Sequence, residues 1–312
     1  MKFPFTLKSD AKFDAAGFGT NAIDHLVSVP AYPAFNSKVE LTTYSVLAGG
    51  EIASSMAALQ RLGLRTAYAG RFGDDAGGTV GIDSLKAEGV DVELVETIEG
   101  ANTQVAFVII DQQTGERTII WKRDERLVYQ ADDAPLGLAV AAKVLHMTPH
   151  DTTAAASMAI EARRHGTVVS LDIDNLFDGI EDLLAATDIM ICSSDLLERL
   201  TGMRDKLSAM TEAAARFGCR IVAVTLGNNG SNLLCDGVFV ETPAFSVPGG
   251  CVDTTGAGDA FRAGFLYGVL RGESVEDSAT MANAVAALKC RGVGARTFLP
   301  TRDELQTLLK NV

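Results

Sequence analysis

Cysteine is scarce and unpatterned in this chain. The five cysteines, Cys192, Cys219, Cys235, Cys251 and Cys290, are odd in number and scattered, so they give neither a disulfide framework nor a Cys-x-x-Cys pair. The four histidines, His25, His146, His150 and His165, add no zinc spacing to them. Buried free thiols in a reducing cytoplasm are the expectation. No apolar run approaches the ~20 residues of a membrane span. The opening stretch Met1–Asp14 holds none long enough for a secretory signal. Positive charge is also in deficit: 27 Lys and Arg stand against 40 Asp and Glu, a formal charge of −13. No basic field would draw in a polyanion, which argues against nucleic acid or an anionic membrane surface as partner. A Walker-type G-x-x-x-x-G-K-[ST] is missing as well. What is present, 47% hydrophobic and 21% charged residues over 312 positions, suits a globular protein with a sizeable core.

Strand-like and helix-like patterns alternate through most of the chain, which points to a doubly wound α/β domain. Apolar strand candidates include Lys143–Met147, Thr167–Leu171, Ile189–Cys192 and Arg220–Thr225. Helical stretches between them include Thr153–Arg164 and Lys206–Phe217. There is no repeat and no low-complexity linker, so residues 1–312 read as a single domain. Two segments, about 36–48 and 91–122, break the alternation. Asn36–Leu47 alternates apolar and polar residues. Thr103–Ile110, a turn at Asp111–Gly115 and Glu116–Trp121 form a hairpin pattern. They suggest a small β-sheet outside the main one, the alternative being an edge extension of the main sheet.

The most informative stretch is Asp253-Thr254-Thr255-Gly256-Ala257-Gly258-Asp259-Ala260-Phe261. Phe261, Phe265 and Val269 fall at i, i+4 and i+8, so a glycine-rich turn sits on the N-terminus of a buried helix. First-turn N–H groups lack intrahelical partners, and with the helix dipole they form an anion site. Gly256 and Gly258 let a phosphate approach the backbone. Asp259 is repulsive there unless it has a task, and the obvious task is to take a proton from a hydroxyl that attacks the phosphate. Plain helix capping would need one short acid, not two glycines and a second acid. Arg262 just beyond reads as an exposed helix arginine, the alternative being a screen for phosphate charge. Asp74 and Asp75 read as caps of the helix Ala76–Ala87. Asp172 and Asp174 follow a strand, where parallel sheets bind ligands, and would meet magnesium or substrate. Gly17, Gly19 and Ala22 match part of a dinucleotide fingerprint, but an extended pattern ending at Pro30 follows instead of the helix that fingerprint must open.

The stretch Asp253–Phe261 closely resembles the C-terminal signature of the ribokinase-like (PfkB) carbohydrate and nucleoside kinases. Gly49-Gly50-Glu51 through Leu62-Gly63, and on to Gly70–Gly77, resembles that family's N-terminal signature. The two stand in the family's order, and the resemblance covers essentially the whole chain. It implies a doubly wound, mostly parallel sheet flanked by helices, with a small β-sheet lid over the sugar. The lid is often a dimer surface, so a homodimer through it is implied. The implied activity is transfer of the γ-phosphate of ATP, with Mg²⁺ and a K⁺ ion, to a primary hydroxyl of a small ketose or ribose-like sugar. By the same resemblance Asp259 is the base, and Gly256, Ala257 and Gly258 carry the phosphate turn. Asp24, Gly49, Gly50, Glu51 and Ser54 hold the sugar. Thr225, Gly227 and Gly230 hold the nucleotide, and Asn283 flanks the adenine. Asp253 and Thr255, joined by the loop Arg291–Ala295, hold the monovalent cation.

The chain departs from the family pattern at two places. Many relatives carry Asn at the position of Ser54, which puts ribose itself in doubt. The usual Asn-x-x-Glu is replaced by Ser193 and Leu196, leaving Asp195 or Glu198 to serve from a shifted position. A similar loss occurs in the ketohexokinase and sulfofructose kinase branches, which Val285–Cys290 also resembles. A nucleoside acceptor such as adenosine is the alternative. It needs an apolar or aromatic wall, and in a chain only 6% aromatic Phe107 and Trp121 are the candidates. A degenerate sugar-binding sensor is a further alternative, opposed by the intact Asp259 turn.

Overall fold

A computed structural model of the chain describes residues 1–114 and 116–310. Gly115, the last residue of the expected hairpin turn, lies outside the described residues. The apolar runs in the middle of the chain become strands covered on both faces, as parallel strands between helices must be. All six residues of Val168–Ile173 are buried. The strands form a nine-stranded sheet in the order Val238–Thr242, Ser231–Cys235, Ile221–Thr225, Ile189–Ser193, Val168–Ile173, Ala142–Met147, Phe13–Phe18, Thr66–Gly73 and Val95–Ile98. Pairing is parallel from Ile221–Thr225 to Val95–Ile98 and antiparallel in the hairpin at the other edge. The winding reverses at Phe13–Phe18, which pairs with Thr66–Gly73 on one side and Ala142–Met147 on the other. In an open α/β sheet the crevice beyond the carboxyl ends of strands at such a reversal is where ligands bind.

Helices Glu51–Arg61, Ala257–Arg271 and Val275–Lys289 pack beside this crevice. The last two approach closely because small residues face each other. A Cβ on Gly264 would lie 2.8 Å from Cα of Ala282, and one on Gly268 would lie 2.3 Å from Oγ of Ser278.

A separate four-stranded sheet has the order Thr43–Gly49, Ala22–Val29, Val105–Asp111 and Arg117–Lys122. Both expected segments contribute to it, with two corrections. Val95–Ile98 belongs to the edge of the main sheet, and Ala22–Val29, outside both segments, supplies an inner strand of the small one. The expected strand from Asn36 begins only at Thr43. Its partner register starts at Ser28 opposite Thr43, and the next residues toward the turn include Pro30, which offers no N–H to a ladder.

Candidate active site

The glycine turn before Ala257 is built by one steric demand. Gly256 sits at φ +77°, and a Cβ there would lie 2.7 Å from Cα of Ala295. The helix Ala257–Arg271 starts at once, with no side chain capping it. The Ala257 N–H turns back to the Thr254 carbonyl at 3.0 Å. The N–H groups of Gly258 and Asp259 remain as the free donors of the first turn. Asp259 lines a cleft of about 870 Å³ together with Gly256 and Gly258. Burial pushes its carboxyl up, while Arg262, Arg117, Arg296 and Lys289 pull it down.

Arg262 is not an exposed helix arginine. It is buried and forms an ion pair with the buried Asp172. Removing one partner of such a pair strands the other, at a cost of about 3–5 kcal/mol. Asp172 is pushed up by burial, with Arg262 opposing. Asp174, two residues on, is exposed on the cleft wall.

On the other side of the cleft stands the small sheet. Direct register partners Leu47, Asp24, Ala106 and Trp121 share one face, and Asp24, Ala106 and Trp121 line the cleft. Burial raises the Asp24 carboxyl to about 6; Arg296 opposes, and Asp259 and Asp253 add to the rise. Gly49 leaves the room that Asp24 takes, since a Cβ would lie 2.0 Å from its Oδ2. Gly50, at φ +90°, passes against the backbone of Asn21, where a Cβ would lie 2.3 Å from Cα. Glu51 accepts from Thr20 Oγ1 at 3.0 Å. Burial raises its carboxyl well above the ordinary value, and Asp174, Asp172 and Asp259 add to that. Trp121, His150 and Phe177 form an aromatic corner, with ring centroids 5.9 and 5.0 Å apart.

Ser54 is placed differently from expectation. It is fully buried and its hydroxyl accepts from Arg296 Nε at 3.2 Å; it does not line the cleft. Arg296 also donates to the Gly49 carbonyl and to Ser84 Oγ. Sequence reasoning missed Arg296, Lys289 and Arg117. The last donates from the lid to Thr254 Oγ1 at 2.8 Å. Its strand alternation, Arg117, Ile119 and Trp121 on one face, was the available signal.

Thr225, Gly227 and Gly230 line the far end of the cleft, as does Asn283. Gly230 is forced by contact, a Cβ there meeting the Thr242 carbonyl at 2.0 Å. The Asn283 amide donates to Ser231 Oγ and Ala279 O. Ser193 caps its helix by accepting from the Leu196 N–H, and Leu196 is buried. Neither Asp195 nor Glu198 lines the cleft, and Glu198 pairs with Arg204. Asp253 accepts at Oδ1 from the N–H and hydroxyl of Thr255, at 2.8 and 2.7 Å. Its Oδ2 accepts from the Gly294 N–H at 2.8 Å. Among the described residues no cluster of three or more His, Cys, Asp or Glu is arranged to hold a metal.

A crevice at a sheet reversal, a helix-end anion turn and a carboxylate between them define a phosphotransferase. Comparison with known proteins agrees. The description "pfkB family carbohydrate kinase" matches residues 18–302, and the chain belongs to that family. It is 26% identical to a nucleoside kinase of Methanothermobacter thermautotrophicus, over 93% of this chain and 94% of that one. It is 32% identical to a fructokinase of Klebsiella pneumoniae, over 84% of this chain and 91% of that one. The ribokinase of Arabidopsis thaliana, solved with ribose and ATP, superposes with a TM-score of 0.80 at 26% identity, covering 96% of this chain and 99% of that one. The chain is an ATP-dependent carbohydrate kinase.

Proposed function

We propose that the enzyme phosphorylates a primary hydroxyl of a small ketose or ribose-like sugar held between Asp24 and the lid. The observation that carries this reading is the convergence of Asp259, the free amides of Gly258 and Asp259, and Asp24 on one cleft. Asp24 and Glu51 would accept sugar hydroxyls, with Gly49 and Gly50 allowing the close approach. A carboxylate taking two hydroxyls is a strong charge-assisted grip. Asp259 would accept the proton of the attacking hydroxyl, and the turn amides would stabilise charge on the transferring phosphoryl group. Thr225, Gly227, Gly230 and Asn283 would line the nucleotide end. Ser54 acts indirectly, by holding Arg296 under Gly49.

Mg²⁺ would arrive with the nucleotide. Hard oxygen donors suit it, and it binds through one or two carboxylates plus substrate phosphates. Asp172 and Asp174 are the carboxylates beside the phosphate turn, with Asp172 already engaged by Arg262. The ion would neutralise charge on the triphosphate. Its need is supported by the gathering of carboxyls, Glu51, Asp172, Asp174 and Asp259, around Arg262, which is already paired with Asp172.

A nucleoside acceptor is the second reading. The corner of Trp121, His150 and Phe177 favours it, because a base needs an aromatic wall. Work in the cytoplasm is supported by the free cysteines and by the lack, among the described residues, of any helix long and apolar enough to cross a membrane.

ADP formation from Mg-ATP across aldoses, ketoses, keto-deoxy acids and nucleosides tests the proposal. Turnover on one acceptor should fall by about 10²–10⁴ in Asp259→Asn. An Asp259→Asn enzyme that keeps full turnover removes the assigned base.

A further inference from the structure

The family resemblance implies a potassium ion between Asp253, Thr255 and the carbonyls of the loop Arg291–Ala295. The residues present do not fit it. The carboxylate of Asp253 is taken up by Thr255 and by the Gly294 N–H. The backbone carbonyls that converge at this place already meet a cation. The Nζ of Lys289 lies 3.0 Å from the Asp253 carbonyl and 3.4 Å from the Gly292 carbonyl.

Lys289 is an unusual lysine. It ends the helix Val275–Lys289, where a lysine ordinarily reaches solvent or caps the last carbonyls. Here the side chain is 0% exposed. Burying an ammonium is costly unless its donors are met. The acceptors it meets are not a carboxylate but carbonyls of two separate segments, one on each side of the expected ion. An ammonium and a potassium ion carry the same charge, and both are satisfied by carbonyl oxygens. The ammonium differs in having three directed donors and a covalent tether.

The position explains the effort. Asp253 opens the turn that leads through Gly256 to the free amides of Gly258 and Asp259. Val252 and Asp253 also donate to the Cys290 carbonyl, at 2.9 and 3.5 Å. The cation therefore pins the phosphate turn to the loop after the helix, and Gly256 rests on Ala295 of that same loop.

We propose that Lys289 is a tethered substitute for the monovalent cation, so that this kinase needs no potassium and is not activated by it. Lys289 is then a positioning residue, acting on phosphate transfer through the turn. This rests on the kinase reading above for its activity arm but not for its stability arm.

The test compares wild type, Lys289→Ala and Lys289→Met in potassium, sodium and choline chloride at equal ionic strength. Melting temperature without substrate and ADP formation are the two readouts. Wild type should be indifferent to the cation in both. Lys289→Ala, which opens a void of the right charge preference, should lose about tenfold or more in kcat in choline, by misplacing the turn. Potassium, rather than choline, should restore it and raise its melting temperature. Lys289→Met fills the space without charge and should be impaired without rescue. Potassium activation of wild type by severalfold overturns the proposal, and that measurement needs no variant to fold. So does a Lys289→Ala enzyme whose melting temperature ignores potassium. If no acceptor gives ADP, the melting data still decide the cation question while the kinase reading alone fails.

Discussion

In the role proposed for it Asp24 accepts sugar hydroxyls as a carboxylate, yet burial raises it to about 6. The sign of the consequence is fixed. Above that value the carboxylate is present and kcat/KM is full; below it, the protonated form loses acceptor strength and kcat/KM falls with each pH unit. Asp259 is also raised and in its proposed role as base acts unprotonated, so its protonation lowers kcat/KM in the same direction. Stability moves the other way. A folded-state pKa above the ordinary carboxylate value means that the native state holds the proton more tightly. Asp24 therefore adds stability as pH falls from about 6 toward about 4, and Asp259 acts in the same direction. The expected result is a kcat/KM profile that drops below about pH 6 while the melting temperature does not follow it. A flat kcat/KM profile down to about pH 5 removes Asp24 as an ionised ligand.

The adjacent glycines where the strand Thr43–Gly49 gives way to the helix Glu51–Arg61 serve different ends. A methyl on Gly49 would meet the Asp24 carboxylate, the movable end of a side chain, whereas one on Gly50 would meet the backbone of Asn21 at a positive φ. Gly49→Ala should therefore displace Asp24, with kcat/KM down about tenfold or more and the melting point nearly unchanged. Gly50→Ala should lower stability by about 1–3 kcal/mol or more through backbone strain and contact. Kinetics and thermal melts on both variants separate the two effects. Elements bounded by local signals were legible in the sequence. Lys206–Phe217 was read to the residue because Asp205 caps it and Gly218 ends it in the left-handed region. The start of the helix Ala257–Arg271 was legible because Gly256 takes the left-handed region just before it. The start of Thr43–Gly49 was not, because it depends on a partner strand. Arg262, Lys289 and Arg296 were misread or missed because their burial is decided by distant segments. Nothing near Arg296 announces Gly49, 247 residues away.

At the scale of the molecule, the lid has two faces. The register row Val46, His25, Phe107 and Ile120 lies opposite the row that carries Asp24. Val46, Phe107 and Ile120 are exposed, and His25 stacks on Phe107 at 4.8 Å. This apolar face supports the homodimer through the lid that the family resemblance implies. Sedimentation should show a dimer that Phe107→Asp converts to monomer; a wild-type monomer at high concentration rules the lid dimer out. The Arg296 latch has a further consequence, in biosynthesis. Asp24, Gly49 and Gly50 leave the ribosome long before the guanidinium that holds the Gly49 carbonyl, which follows 247 residues later. Long-range closures of this kind form late. A polypeptide cut anywhere between Gly50 and Arg296 therefore carries the N-terminal signature without the contact that holds the Gly49 carbonyl, and the acceptor site proposed above is incomplete in it.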